Sequence, residues 1–171
     1  RASDSSVVEF LEYEFDSNWF RSFKKDATEE EANATWNCID YQSLIKNMTM
    51  EDFNQWIEIA PHQVIQNIVE AGFDINNVKE HQTPPLITIA NISNELLPND
   101  LEHFRRTNIF RLLIENGANP LLHNGSSSAL GNAAKITSLQ NDSIELITNI
   151  EAMRALIEHG ADVNQWIAGS T

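Results

Sequence analysis

A short pattern that occurs three times constrains the fold more than any other feature of the chain. Its copies share an apolar run, a glycine, a small or apolar residue and then Asp or Asn, and they lie within residues 68–76, 112–120 and 156–164. A glycine just past a helix takes the left-handed conformation that closes the last turn, and Asp or Asn then starts a tight turn. The pattern therefore predicts a repeat protein in which helices end at Gly72, Gly117 and Gly160.

The third copy, Gly160-Ala-Asp-Val-Asn164, resembles the helix-end signature of the ankyrin repeat. The other signature of that family, Thr-Pro-Leu-His-x-Ala, opens the next inner helix. Here Thr83-Pro-Pro-Leu-Ile-Thr-Ile-Ala90 and Ser128-Ala-Leu-Gly-Asn-Ala-Ala134 follow the first two glycines, with Ile87 and Gly131 in place of His. A more divergent copy is predicted as two helices over residues 51–69. The resemblance implies an all-α, ankyrin-like helical solenoid over residues 49–171, with about three repeats and the start of another.

The repeats are longer than usual. The glycines are 45 and 43 residues apart, against about 33 for an ordinary ankyrin repeat. The added residues fall between the start of each inner helix and the end of the outer helix, and apolar residues recur through them at helical spacing. We therefore expect extended outer helices over residues 100–116 and 143–159.

Residues 1–48 lack the repeat pattern. Apolar residues over 7–23 predict one amphipathic helix, and a second is predicted from a cap at Thr28 through Trp36, Ile39 and Leu44. Because the end of a solenoid exposes an apolar face, we interpret residues 1–48 as an N-terminal helical cap.

The charge balance narrows the classes of partner. The chain has 11 Lys and Arg against 25 Asp and Glu, for a net charge of -14. This sign disfavours nucleic acid and anionic membrane surfaces as partners, and no apolar stretch is long enough to cross a bilayer. The single cysteine favours a cytoplasmic location, which would be the host cytoplasm for a secreted bacterial effector. Five Asn-x-Ser/Thr sites would carry glycans in a secreted protein, but in an Asn-rich chain we favour chance occurrence.

No pattern predicts catalysis. The chain lacks phosphate-binding, dinucleotide-binding and zinc-protease motifs. No cationic partner is spaced to activate Cys38 on the second helix, and we expect a buried or half-buried thiol there, because free cysteine is among the most buried residue types. The five histidines never occur at metal-ligand spacing. The sequence predicts no enzyme, no metal and no cofactor.

The ankyrin resemblance implies a protein–protein interaction module that binds through its loop fingers and inner helices. We expect a monomer whose protein partner is basic or carries a basic patch. The family's binding positions, carried onto this sequence, are Lys79, Glu80, His81, Thr88, Asn91, Leu122, His123, Asn124, Asn132, Lys135, Gln165 and Trp166.

Other functions remain open at this point. The chain could be the ankyrin portion of a larger enzyme whose catalytic domain lies outside it, since Gly169-Ser-Thr171 matches the start of another repeat. The Asn- and Ile-rich composition is similar to that of bacterial effector ankyrin proteins, although a eukaryotic or large-virus protein would fit as well. A reader of methylated lysine is less favoured, because the sequence places no two aromatic residues together as a cage.

Overall fold

The computed structural model describes residues 36–91, 100–137 and 143–165. These residues form seven α-helices, numbered here in chain order: α1 (Tyr41–Asn47), α2 (Met50–Ile59), α3 (His62–Glu70), α4 (Pro85–Asn91), α5 (Asp100–Glu115), α6 (Ala129–Thr137) and α7 (Ser143–Glu158). The described residues contain no strand beyond one isolated bridge between His123 and Ser128. This part of the protein is therefore all-α, as the sequence predicts.

The predicted pair of helices over residues 51–69 is confirmed, and its local chemistry is clear. Thr49 and Asp52 form a capping box at the start of α2: the Thr49 Oγ1 accepts from the Asp52 N–H (3.1 Å), and the Asp52 carboxylate accepts from the Thr49 N–H (2.8 Å). Pro61 follows the end of α2 and immediately precedes α3, so the chain turns sharply between the two helices.

Each of the three predicted glycine helix ends is confirmed. Gly72, Gly117 and Gly160 have positive φ angles of 104°, 83° and 98°. In every copy the residue after the glycine donates its N–H to the carbonyl five residues earlier: Phe73 to Ile68 (3.3 Å), Ala118 to Leu113 (2.9 Å) and Ala161 to Leu156 (2.8 Å). This bond is the mark of a Schellman closure, which only glycine accommodates without strain.

The helices pack as three hairpins in two layers. The hairpins are α2 with α3, α4 with α5, and α6 with α7. In one layer α4 contacts α2 and α6, and in the other α5 contacts α3 and α7. The predicted long helices are confirmed, because α5 and α7 have 16 residues each. Ile68, Leu113 and Leu156, four residues before each glycine, are fully buried, so equivalent positions of the three hairpins form the core.

Residues 36–48 pack against the first hairpin. Helix α1 contacts α3, and the Gln42 amide donates to the Ala71 carbonyl (3.1 Å). Trp36 and Trp56 are buried, and their rings meet edge to face with centroids 5.8 Å apart. The segment therefore extends the core of the stack beyond α2 and α3.

The prediction of one helix running through Trp36, Ile39 and Leu44 is wrong. The chain leaves the helical conformation at residues 38–40, and Asp40 caps a new helix, α1. The Ser43 hydroxyl (2.7 Å) and N–H (3.2 Å) both donate to the Asp40 carboxylate, which holds its pKa below the usual value. Asp competes in this way with the helical backbone for hydrogen bonds, so it favours a cap over a helix interior.

The prediction that Cys38 is buried is also wrong. Cys38 is exposed, in the turn between the two helical segments. The prediction depended on the general tendency of free cysteines to be buried, whereas the break before α1 leaves this position exposed to solvent.

A buried arginine joins the long helix α5 to the corner between α2 and α3. Arg105 is only 8% exposed, and its guanidinium donates to the carbonyls of Ile57 (2.8 Å), Glu58 (2.9 Å) and Ala60 (2.7 Å). These carbonyls belong to the last turn of α2 and its cap, where helix carbonyls lack intrahelical donors. Arg105, in the first half of α5, therefore supplies hydrogen-bond donors to the carbonyls at the end of α2.

The predicted helix over residues 7–23 and the cap at Thr28 lie outside the described residues. Among the helices that the structure describes, none combines the length and the apolar character that crossing a membrane requires.

Candidate protein-binding surface

The loops that follow the outer helices lie side by side and form a surface that we call the loop edge, defined as residues 73–83, 118–128 and 161–165. Each loop begins with the same turn. The side-chain oxygen of Asp74, Asn119 or Asp162 accepts the N–H of the residue two positions later, at 3.0, 3.0 and 2.8 Å. The repeated Asp or Asn after each glycine thus sets the direction in which each loop leaves its helix.

Side chains join the neighbouring loops to one another. Asn76 reaches from the first loop to the second, where its Nδ2 donates to the Gly117 carbonyl (2.9 Å) and its Oδ1 accepts the Asn119 N–H (2.8 Å). Gln165 reaches back from the third loop, and its Nε2 donates to the Leu121 carbonyl (3.0 Å). The three loops are therefore one hydrogen-bonded edge.

The tip of the first loop presents two nearly fully exposed side chains. The Gln82 N–H donates to the Lys79 carbonyl (3.0 Å), and the Gln82 side chain accepts the Lys79 N–H (2.9 Å), which closes a four-residue turn. At its centre Glu80 and His81 are 90% and 85% exposed, and the Glu80 Oε1 and His81 Nε2 atoms are 3.7 Å apart. His81 has a φ of 69°, a conformation that non-glycine residues adopt at a cost.

The tip of the second loop is built around Asn124. Its Oδ1 accepts the N–H and hydroxyl groups of both Ser126 and Ser127, at 3.0–3.2 Å. The neighbouring His123 is exposed, and its Nδ1 accepts the Gly125 N–H (3.1 Å). The oxygen of Asn124 therefore shapes the loop, and His123 is the more available side chain for a partner.

Two of the binding residues predicted on the inner helices, Thr88 and Asn132, do not lie on this surface. Thr88 on α4 and Asn132 on α6 are only 8% and 6% exposed, because α4 is packed between α2 and α6. We therefore leave these two side chains out of the candidate surface. Asn91 and Lys135 lie on α4 and α6, but their side chains are outside the described set, and Trp166 lies beyond the last described residue.

The other predicted residues lie on the loop edge. Lys79, Glu80, His81 and His123 are exposed, whereas Leu122, Asn124 and Gln165 are half-buried. Sequence reasoning missed Asn76, which joins two loops. Its position four residues after a glycine, shared with Asn164, is the pattern that could have identified it.

The described surface is strongly acidic. Its exposed carboxylates are Asp40, Glu51, Glu58, Glu70, Asp74, Glu80, Glu115, Glu151, Glu158 and Asp162. Its exposed cations are Lys46, Lys79, Arg111 and Arg154. Arg105 is buried and does not add to them. Among the described residues, exposed carboxylates thus outnumber exposed cations ten to four, so the electrostatic field of this part of the surface is negative.

The part of the chain that the structure describes offers no arrangement of side chains that points to a metal. In the ranges 36–91, 100–137 and 143–165, no three His, Cys, Asp or Glu side chains gather where they could hold a metal ion. The chain matches no known protein-family model, and no curated protein is significantly similar to it. The ankyrin resemblance therefore depends on the residues and geometry of this chain alone.

The bonds of Asn76 give a test of the continuous edge. Replacing Asn76 with Ala should lower the free energy of unfolding by about 1–3 kcal/mol, since two hydrogen bonds of about 0.5–1.5 kcal/mol each are lost. Amide hydrogen exchange should also become faster at Asn119. The adjacent, exposed Asn77 is the matched control, and its replacement with Ala should change neither quantity. Equal effects at the two positions would show that Asn76 does not join the loops.

Proposed function

We propose that this chain is an ankyrin-type interaction module that binds a protein partner through the loop edge. In this proposal α2, α4 and α6 are the inner helices of a solenoid and α3, α5 and α7 its outer helices. The layered packing of three hairpins and the recurrence of one glycine closure and one turn in each hairpin support it. Residues 1–48 act as the N-terminal cap, since residues 36–48 already cover the first hairpin.

The bonding between exposed loops is the observation that carries the proposal. Binding usually orders loops at an entropic cost, and a surface that is ordered beforehand avoids part of that cost. Asn76 and Gln165 hold the backbones of the loops together, while Glu80, His81 and His123 remain exposed. The positive φ of His81 adds to this argument, because strained residues cluster at functional sites.

The charge of the surface indicates the chemistry of the partner. A net charge of -14 accelerates association with a basic protein and slows association with nucleic acid. The attraction is screened by salt, with a Debye length of about 8 Å at physiological ionic strength. The partner is thus a protein with a Lys- or Arg-rich patch, and its affinity falls as salt is added.

A variant pair that differs only in location tests the proposal. The double variant Glu80→Ala/His81→Ala changes the tip of the first loop. Its control, Glu58→Ala/His62→Ala, removes the same two residue types at exposed positions near the corner of α2 and α3, at the opposite end of the hairpin. With a partner captured by the unaltered chain, calorimetric titration at two salt concentrations should show at least a tenfold loss of affinity, about 1.4 kcal/mol, for the loop variant alone.

Two results would contradict the proposal. One is an affinity that the loop variant retains or that the corner variant loses equally. The other is an affinity that does not change with salt, because the acidic surface would then have no role in recognition.

A further inference from the structure

The chain contains two Asn-Gly pairs, Asn116-Gly117 and Asn124-Gly125, and both lie among the described residues. An Asn side chain that precedes glycine can react within the chain: the glycine nitrogen attacks the Asn Cγ and closes a five-membered ring. Glycine permits this because it has no Cβ to obstruct the approach. Since the reacting groups are already joined, the geometry that holds them decides the rate. The two pairs differ in that geometry.

At Asn124 the amide carbonyl is surrounded by donors. Its Oδ1 accepts the N–H groups of Ser126 (3.1 Å) and Ser127 (3.0 Å) and the hydroxyls of the same two residues (3.1 and 3.2 Å). A backbone N–H can only donate, so the bound atom is the amide oxygen and not the amide nitrogen. This oxygen gains negative charge when the Cγ is attacked, and donors already aimed at such an oxygen stabilise the transition state.

The attacking nitrogen has a base beside it. The Gly125 N–H donates to the His123 Nδ1 at 3.1 Å, which is within the reach that a general base needs to take up a proton. Because this ring nitrogen accepts a hydrogen bond, it has a lone pair that can bind that proton. His123 and Gly125 are both exposed, so water reaches the reacting groups and ammonia can leave.

The pair Asn116-Gly117 is held in a different way, immediately after α5. The Gly117 N–H donates to the Ile114 carbonyl (3.0 Å), which is a much weaker base than imidazole. The Asn116 Nδ2, which is the atom that would leave, donates to the Leu112 carbonyl (2.8 Å) and is fixed against the last turn of the helix. The fold therefore contains the same dipeptide in two arrangements, one with an imidazole at the attacking nitrogen and one with a carbonyl there.

We propose that Asn124-Gly125 is a self-modification site at which the folded loop catalyses ring closure. The Gly125 nitrogen passes its proton to the His123 Nδ1 and forms a bond to the Asn124 Cγ. The bond between Cγ and Nδ2 then breaks, and Nδ2 takes the proton from the imidazole and leaves as ammonia. Water opens the resulting succinimide at either carbonyl, which leaves aspartate or isoaspartate at position 124. Nothing is oxidised or reduced, and water is the one added reactant.

The reaction changes the tip of the second loop. Either product adds one negative charge there. Aspartate keeps the course of the main chain and can accept the same four donors, whereas isoaspartate routes the main chain through the side-chain carbon and displaces the Ser126 and Ser127 N–H groups. The proposal depends on the chemistry of this loop alone and holds whether or not the loop edge binds a partner.

A comparison of the folded and the unfolded chain tests whether the fold catalyses the reaction. The full chain is incubated in neutral buffer with and without guanidinium, and digestion followed by mass spectrometry measures deamidation at each Asn over time. We expect Asn124 to react at least about tenfold faster in the folded chain than in the unfolded one, a modest share of what a general base contributes. Asn116 should react more slowly when folded, and the two rates should be similar in the unfolded chain.

Removal of the base tests the mechanism. His123→Ala should slow the reaction at Asn124 by about tenfold or more and leave Asn116 unchanged. His62→Ala, which removes an exposed histidine from the start of α3, is the matched control and should change neither rate. Imidazole added to the buffer should recover part of the rate that His123→Ala loses, because a dissolved base can replace the missing ring but cannot reverse a rearrangement of the loop.

Three results would overturn the proposal. The first is an Asn124 that reacts no faster in the folded chain than in the unfolded one. The second is a His123→Ala chain that keeps the original rate at Asn124. The third is a slower His123→Ala chain that imidazole does not restore, which would show that the ring only shapes the loop.

Discussion

Replacing Arg105 with Ala is expected to lower the free energy of unfolding by about 3 kcal/mol or more. The guanidinium is buried and donates to three carbonyls at the end of α2. An acceptor left without a partner inside a protein costs about 1–3 kcal/mol, so three of them set this magnitude. Chemical denaturation followed by circular dichroism measures the change.

Two further variants show whether the effect comes from these hydrogen bonds. Arg111→Ala removes an exposed arginine from the same helix and should change the stability by no more than about 0.5 kcal/mol. Arg105→Lys keeps the charge but loses the planar fork of donors, so it should recover only part of the loss. A small effect of Arg105→Ala would show that the contact between α5 and the corner contributes little, and full recovery with Lys would show that the planar fork of donors is not required.

Replacing Trp56 with Ala should lower the free energy of unfolding by about 3–5 kcal/mol, which is typical of a large aromatic residue removed from a core. Trp56 is 1% exposed and packs edge to face with Trp36, which precedes α1. The loss should therefore also release residues 36–48 from the first hairpin. Thermal unfolding measures the stability, and hydrogen exchange in α1 reports the release.

A double-mutant cycle with Trp36→Ala isolates the contact between the rings. Aromatic pairs contribute about 0.5–1.5 kcal/mol beyond the area that they bury, so the two substitutions should be non-additive by about that amount. Additive losses, with unchanged exchange in α1, would show that residues 36–48 do not cover the first hairpin as a cap.

The parts of the fold that could be predicted from sequence are those that local chemistry determines. Gly72, Gly117 and Gly160 end helices because each takes a positive φ, which glycine alone adopts freely. The lengths of α5 and α7 follow from glycine spacing and apolar periodicity, which are also local. These features need no knowledge of what each helix packs against.

The features that sequence reasoning missed depend on competition between two local conformations or on contacts between residues distant in the chain. Asp40 could cap a helix or lie within one, and its bonds with Ser43 decide in favour of a cap, which also leaves Cys38 exposed. Arg105 resembles any surface arginine in the sequence, and only the approach of α5 to residues 57–60 buries it. The contact between α5 and residues 57–60 cannot be predicted from any local sequence pattern.

The residues of the candidate site likewise separate into those whose exposure follows from local sequence and those whose burial depends on packing between helices. The exposure of Lys79, Glu80, His81 and His123 follows from their place in loops after a glycine. The burial of Thr88 and Asn132 depends on how closely the inner helices approach one another, which the sequence does not specify. Asn76 could be recognised only after its partner loop was placed.

Hydrogen exchange of the full chain, measured with and without its bound partner, tests the central claim most directly. If the partner binds the loop edge, exchange should slow at residues 77–83 and 122–128, and it should be unchanged in the outer helix α3 and near the corner at residues 58–62. Protection confined to the outer helices or to that corner, with the loops exchanging as fast as in the free protein, would contradict the account.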